Sequence, residues 1–172
     1  MKILCLADTH CKKFEELPKK VRELIDSSDV VVHAGDFTSF ELYRDLERSC
    51  EIVAVRGNAD EEDLKRVLPE EATFAAEGVK FGVVHKGNYL NEFHDLGYKA
   101  KELGVNVLIF GHVHRFVLQK FGNVVVLCPG SPTQPRLSAA SCAVLNVEGG
   151  KLEVEFVLAG DIACGMNVRL ET

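Results

Sequence analysis

The 172-residue chain lacks several features, and each absence removes a class of function. It has no apolar run long enough to cross a bilayer, which excludes a membrane-spanning helix. Positive charge is in deficit: 20 Lys and Arg stand against 26 Asp and Glu, a net charge of -6, so general nucleic-acid binding has no electrostatic footprint. The six cysteines (Cys5, Cys11, Cys50, Cys128, Cys142 and Cys164) form no C-x-x-C pair and no zinc-ribbon spacing. They are expected to be free thiols in a reducing compartment, with Cys5, Cys50 and Cys142 in or beside apolar strands. Cys11 alone directly follows a histidine and has a metal contact as its alternative. The N-terminus is strand-like over Lys2–Ala7 and has no signal-peptide pattern, so a cytoplasmic location is expected. No internal repeat, low-complexity tract or linker divides the chain, and residues 1–172 are expected to form a single domain.

An apolar content of 47% supports a real core. Lys2–Ala7 (KILCLA), Asp29–Ala34 (DVVVHA) and Glu51–Val55 (EIVAV) read as strands, the first two buried on both faces. Between them, Phe14–Ser27 carries Leu17, Val21, Leu24 and Ile25 at helical spacing, and Ser39 caps a helix running to about Arg48. Strand and helix alternate, which predicts a parallel α/β half. The pattern then changes. A short helix is expected over Asp60–Val67, a hairpin over Ala72–Glu77 and Val79–Val84, and a helix over Glu92–Leu103. The strand Val107–Phe110 and two further hairpins, Phe116–Phe121 with Val124–Leu127 and Ser141–Val147 with Leu152–Leu158, complete the chain around the proline-rich loop Cys128–Arg136. The fold class is α/β, parallel at the front and antiparallel at the back.

Polar residues collect where strands end: Asp8 and His10, Asp36, Asn58, His85, His112 and His114. Sites of open α/β sheets form at the carboxyl ends of strands, so these residues are expected to converge. In extended backbone, His112 and His114 at i and i+2 would point to the same side. A set of imidazoles, carboxylates and one amide without thiolate suits Mn, Fe, Zn or Ni and disfavours a structural zinc site. Taken singly, Asp8, Asp36 and Asn58 read equally well as turn residues or caps. His33, inside an apolar strand, reads as a core histidine, His94 as a surface one, and Glu61-Glu62-Asp63 as a solvated helix start.

In order, Asp8-Thr9-His10, Gly35-Asp36, Gly57-Asn58, His85 and Gly111-His112-Val113-His114 resemble the motif series of calcineurin-like metallophosphoesterases. The chain length, His33-Ala34-Gly35-Asp36 and Pro129-Gly130-Ser131 are similar to the small phosphodiesterase branch of that family. The resemblance spans about residues 1–135 and implies a four-layer α/β/β/α sandwich with mixed sheets and a dinuclear site. It implies that Asp8, His10 and His114 hold one divalent ion, Asn58, His85 and His112 the other, and that Asp36 bridges them. Mn would be the favoured metal, with Ni, Fe or Zn as alternatives. The implied activity is hydrolysis of a small phosphodiester by a bridging hydroxide, with Asp36, Asn58 and His85 as the catalytic residues. Two divalent ions against two carboxylates leave a cationic site in an acidic protein, which suits an anionic ester.

Two departures from the family pattern matter. Many relatives place a leaving-group histidine after the Gly-Asn pair; here Ala59 and Asp60 follow, so good leaving groups are expected to be favoured. After His85 the chain reads Lys86-Gly87-Asn88 instead of Gly-His; Lys86, like Arg136, is either a phosphate contact or a solvated loop residue. The alternatives to a diesterase are a phosphomonoesterase of the same fold and a non-catalytic protein-binding scaffold resembling the retromer subunit. The hairpins Phe116–Leu127 and Ser141–Leu158 offer edges for a homodimer or higher even oligomer.

Overall fold

Residues 1–89, 92–160 and 166–170 are described by the structure, a computed structural model of the chain, the last stretch by its backbone alone. Strand β1 (Lys2–Leu6) shows why the sandwich is layered. Its alternate side chains Ile3 and Cys5 enter one apolar cluster, and Leu4 and Leu6 enter another. A strand apolar on both faces needs a covering layer on each side. β1 pairs in parallel with β2 (Val30–His33), which pairs in parallel with β3 (Ile52–Ala54). On its other edge β1 meets β9 (Ser141–Glu148), followed by β10 (Lys151–Leu158) and β11 (Met166–Leu170), all antiparallel. The second sheet runs β4 (Glu71–Ala76), β5 (Val79–Val84), β6 (Val107–Ile109), β8 (Val124–Pro129), β7 (Phe116–Phe121), with β5, β6 and β8 parallel.

The inner cluster joins Ile3, Val32, Leu145 and Val154 of the first sheet to Phe81, Val107, Ile109 and Leu127 of the second. Helices α1 (Lys19–Asp26), α2 (Phe40–Ser49) and α3 (Glu62–Val67) cover the first sheet through Val21, Ile25, Leu42, Leu46 and Leu64. Helix α4 (His94–Glu102) covers the second through Leu96 and Ala100, packed with Leu108, Phe110 and Val126. The architecture is therefore the expected α/β sandwich of two mixed sheets flanked by helices. Truncating a fully buried leucine such as Leu46 to alanine would cost about 2–5 kcal/mol by the usual cavity penalty.

Local boundaries differ from the sequence expectation where backbone chemistry intervenes. The helix expected over Phe14–Ser27 is split into a 3₁₀ turn, Phe14–Glu16, and α1. Pro18 forces the break, because its ring disfavours helical backbone at Leu17, which is extended at ψ 140. Helix α4 starts at His94 because Glu92 and Phe93 hold left-handed backbone (φ 53 and 72). Helix α2 begins as expected: the Ser39 hydroxyl accepts from Glu41 N–H at 3.1 Å. One expected edge is absent. β11 pairs along β10 and closes the outer side of the Ser141–Leu158 hairpin, whereas β7 remains an edge strand.

Candidate metal centre

Each of β1, β2, β3, β5 and β6 ends in a loop at the same end of the sandwich, and these loops carry the seven residues singled out by sequence. Hydrogen bonds lace them together: Asp8 N–H donates to Gly35 O at 3.0 Å, His10 N–H to Asp36 O at 3.1 Å, and Gly111 N–H to His85 O at 2.9 Å. Five of the seven hold positive φ: Asp8 53, His10 44, Asp36 59, His112 73 and His114 55. Non-glycine residues are uncommon there, and clustering of such strain marks functional sites. Left-handed backbone also corrects the expectation for His112 and His114. They do not lie on an extended strand pointing one way; β6 ends at Ile109, and the two rings diverge to different groups of ligands.

One group is Asp8, His10 and His114; the other is Asp36, His85 and His112, and in each the potential ligand atoms lie within 4.8 Å of one another. Asp36 lies between them: its Oδ2 is 3.8 Å from His10 Nε2 and 3.4 Å from His85 Nε2. Asn58 joins the second group, its Oδ1 3.0 Å from His85 Nε2. In the first, His114 Nε2 is 3.7 Å from Asp8 Oδ1 and 3.3 Å from His10 Nε2. All seven residues are thus brought together.

The hydrogen bonds behind the rings decide what faces inward. His85 Nδ1 donates to Ala34 O at 2.8 Å and His114 Nδ1 to Gln134 O at 2.6 Å. A carbonyl only accepts, so in the neutral rings Nε2 presents a lone pair to the cluster. His85 Nε2, Asp36 Oδ2 and Asn58 Oδ1 face one another, and the positive charge that satisfies them is either a proton on His85 Nε2 or a bound cation in its place. The donor set, histidine nitrogen with carboxylate and amide oxygen, fits a divalent transition ion.

Protonation follows the same geometry. Burial pushes the Asp8 carboxyl up to about 7, against the pull of His85, with the negative charge of Asp36 adding to the rise. Burial also opposes ionisation of Asp36, but the hydrogen bond and charge of His85 and the Ala59 N–H outweigh it and hold Asp36 at about 2. His10, His112 and His114 are lowered chiefly by burial, which keeps them neutral. His85 is raised: burial lowers it, and the bond to Asp36 more than reverses this.

Sequence reasoning missed the supports. Asp60, only 3% exposed, accepts from Gly57 N–H at 2.6 Å, Thr38 N–H at 2.8 Å and Asp36 N–H at 3.3 Å, tying the loops after β2 and β3 together. Its one signal was a carboxylate two residues after Asn58, concealed by the acidic run that follows. Ser131 Oγ donates to Asp8 O at 2.7 Å, and Thr133 Oγ1 donates to Thr9 O, so the proline-rich loop braces the β1 loop. Tyr89 stacks on His112, centroids 5.9 Å apart. Gly57 is a matter of space: a Cβ there would overlap Asp36 Oδ1 and its backbone N.

Lys86 and Arg136 are both exposed at the rim, with no side-chain ion pair among the described residues. His33 is buried as expected, bonded to Thr9 Oγ1 at 3.0 Å and stacked on Phe37. His94 is exposed, its ring against Phe121. Cys11 donates to Thr9 O and joins neither ligand group; Cys164 lies outside the described residues.

The calcineurin-like phosphoesterase superfamily domain matches residues 1–150. A probable metallophosphoesterase of Methanothermobacter thermautotrophicus is 34% identical over 166 residues, covering 95% of this chain and 96% of its own. A Methanocaldococcus jannaschii protein named a phosphodiesterase is 28% identical over 146 residues, 76% of this chain and 83% of its own. Among solved structures, wild-type Vps29 of Entamoeba histolytica complexed with zinc superposes with a TM-score of 0.82 at 22% identity, covering 98% of this chain and 99% of that one. At that identity the likeness is one of fold.

Proposed function

From its membership of the calcineurin-like phosphoesterase superfamily we infer that the chain hydrolyses phosphoric esters, and we propose that it is a metal-dependent phosphodiesterase. The observation that carries this reading is the pair of three-residue ligand groups meeting at Asp36. In it, Asp8, His10 and His114 would hold one divalent ion and Asn58, His85 and His112 the other, with Asp36 shared between the two groups and Mn favoured over Ni, Fe or Zn. When bound, two such ions would supply an acidified water and polarise the phosphoryl oxygens of the ester.

The chain's own residues do the rest. Asp36 is kept ionised at neutral pH by His85 and the Ala59 N–H, which donates to its Oδ1 at 2.7 Å. Asn58 turns its oxygen toward His85 and leaves its amide N–H₂ without a protein partner among the described residues, available to donate to a phosphoryl oxygen. Ala59 carries no proton for the leaving group, so turnover favours esters whose alcohols are acidic. Against two carboxylates, two divalent ions leave the site cationic by two charges, which suits the single negative charge of a diester. Support for the diester over the monoester comes from the name of the Methanocaldococcus jannaschii relative. A non-catalytic scaffold of the Vps29 fold is disfavoured by the presence of all seven ligand residues. The proposal includes a cytoplasmic location and an even oligomer paired through the β7 edge.

The test is hydrolysis of bis-p-nitrophenyl phosphate beside p-nitrophenyl phosphate by Mn²⁺-loaded protein, with Asp36→Asn as control. Diester cleavage that requires metal and disappears in the folded variant supports the reading. Preference for the monoester moves it to a phosphomonoesterase, and failure of the folded, loaded protein on both substrates refutes it.

A further inference from the structure

A groove of about 670 Å³ opens from the metal centre on the side of Asn58 and His85. Its far wall is one face of α4, where Asp95, Tyr98, Lys99 and Glu102 recur at three- and four-residue spacing. The opposite wall carries Arg56 and the start of β4. Its volume falls within the usual range of small-molecule sites, and it is far larger than a phosphoryl group. An ester arm attached to a phosphate held at Asn58 and His85 would extend into it.

Charge decides which kind of arm fits. Arg56 is paired with Glu70, and Lys99 with Glu71 at 2.7 Å and Glu102 at 3.7 Å. Asp95 accepts the Asn88 and Tyr89 N–H groups on Oδ2, and its Oδ1 is buried. The wall cations are therefore neutralised, and a second phosphate would find no free partner among them. Glu70, Glu71 and Glu102 are paired with those cations, and the one oxygen without a partner, Asp95 Oδ1, is out of solvent reach, so a cationic arm finds no accessible free carboxylate either. Lys86 alone is an unpaired cation among the described lining residues, and it directly follows His85, at the end where the diester's own charge would lie. The arm that suits these walls is neutral.

Tyr98 adds a direction. It is 70% exposed, more than any other large apolar side chain among the described residues except Leu137, and it stands in this groove. Lys101 Nζ lies over the ring, 5.9 Å from its centroid, and the high exposure of the side chain leaves ring surface for a planar group. Base stacking on aromatic side chains is strong and indifferent to sequence. We propose that the groove holds the nucleoside arm of a nucleotide phosphodiester, with Tyr98 as the platform for its base. This assignment rests on the phosphodiesterase reading and names the substrate class for the same site.

The experiment compares two diesters sharing one leaving group, thymidine 5′-(p-nitrophenyl phosphate) and methyl p-nitrophenyl phosphate, on Mn²⁺-loaded wild type, Tyr98→Ala and Tyr98→Phe. The expected result is at least about a tenfold higher kcat/KM for the nucleoside ester in wild type, the scale of one stacking contact. That preference collapses in Tyr98→Ala, persists in Tyr98→Phe, and leaves the methyl ester unaffected throughout. Equal kcat/KM for both esters in wild type, or equal losses on both in Tyr98→Ala, overturns the nucleoside assignment and leaves the diesterase reading standing. Cleavage of neither ester by folded wild type overturns both.

Discussion

Replacing Asp60 by asparagine would test whether the loops bearing Asp36 and Asn58 are held by one buried carboxylate. In the wild type both oxygens accept backbone N–H groups, Oδ2 from Gly57 and Asp36, Oδ1 from Thr38. An asparagine amide has one oxygen, so whichever way it turns, an NH₂ faces a former donor. If it keeps Gly57 and Asp36, Thr38 N–H loses its acceptor at about 1–3 kcal/mol, and the two remaining bonds fall from charged to neutral strength, about 1 kcal/mol each. The sum is about 3–5 kcal/mol. For a chain of this length that corresponds to a fall in Tm of roughly 6–20 °C. The same loosening should weaken metal binding about 10- to 100-fold, as loss of an outer support to a metal site commonly does. Thermal melts followed by circular dichroism, with metal titration of the same samples, measure both effects. A variant that melts within about 1 °C of wild type and binds metal equally well would refute the reasoning.

Three further outcomes are expected. His33 is fully buried and burial lowers it from 6.5 to about 3, so it stays neutral in the fold while the unfolded chain takes up a proton below pH 6.5. Stability therefore falls as pH drops through 6.5 toward 3, by up to about 1.4 kcal/mol per unit. His33→Asn should shrink the loss between pH 7 and 4 by about 3 kcal/mol in urea melts, and an unchanged slope would contradict this. Gly57→Ala should displace Asp36 and abolish high-affinity metal binding while costing about 1–3 kcal/mol of stability; wild-type metal affinity would count against the assigned geometry. The three apolar clusters do not depend on a metal, so chelator-treated protein should keep its circular dichroism spectrum. Returning metal at about 100 times Kd should stabilise it by about 2.7 kcal/mol, read as a rise in Tm, and no rise would argue against a native-state site.

The strands and their order of appearance were legible because KILCLA and DVVVHA are apolar on both faces, and only a sandwich interior accepts such strands. The seven residues that cluster were legible because each is a polar residue at or just beyond a strand end. The backbone conformation they adopt was not: left-handed φ at His112 and His114 comes from loops tied across the sheet, as in the His112 N–H donation to Asp8 at 2.8 Å. Asp60 was missed for a similar reason, since two of its three partners lie 22 and 24 residues earlier. Pro18 could have been read correctly, because its effect on Leu17 is local. β11 has a weak signal, five residues with one β-branched member, and its place depends on pairing with β10.

The central claim is that two ions sharing Asp36 act together on a phosphodiester. Metal-free protein titrated with Mn²⁺ while bis-p-nitrophenyl phosphate hydrolysis is followed tests it most directly. The account predicts negligible rate without metal and a rate that levels off at two equivalents per chain. A rate that levels off at one equivalent, or no hydrolysis at any loading of the folded protein, would contradict it.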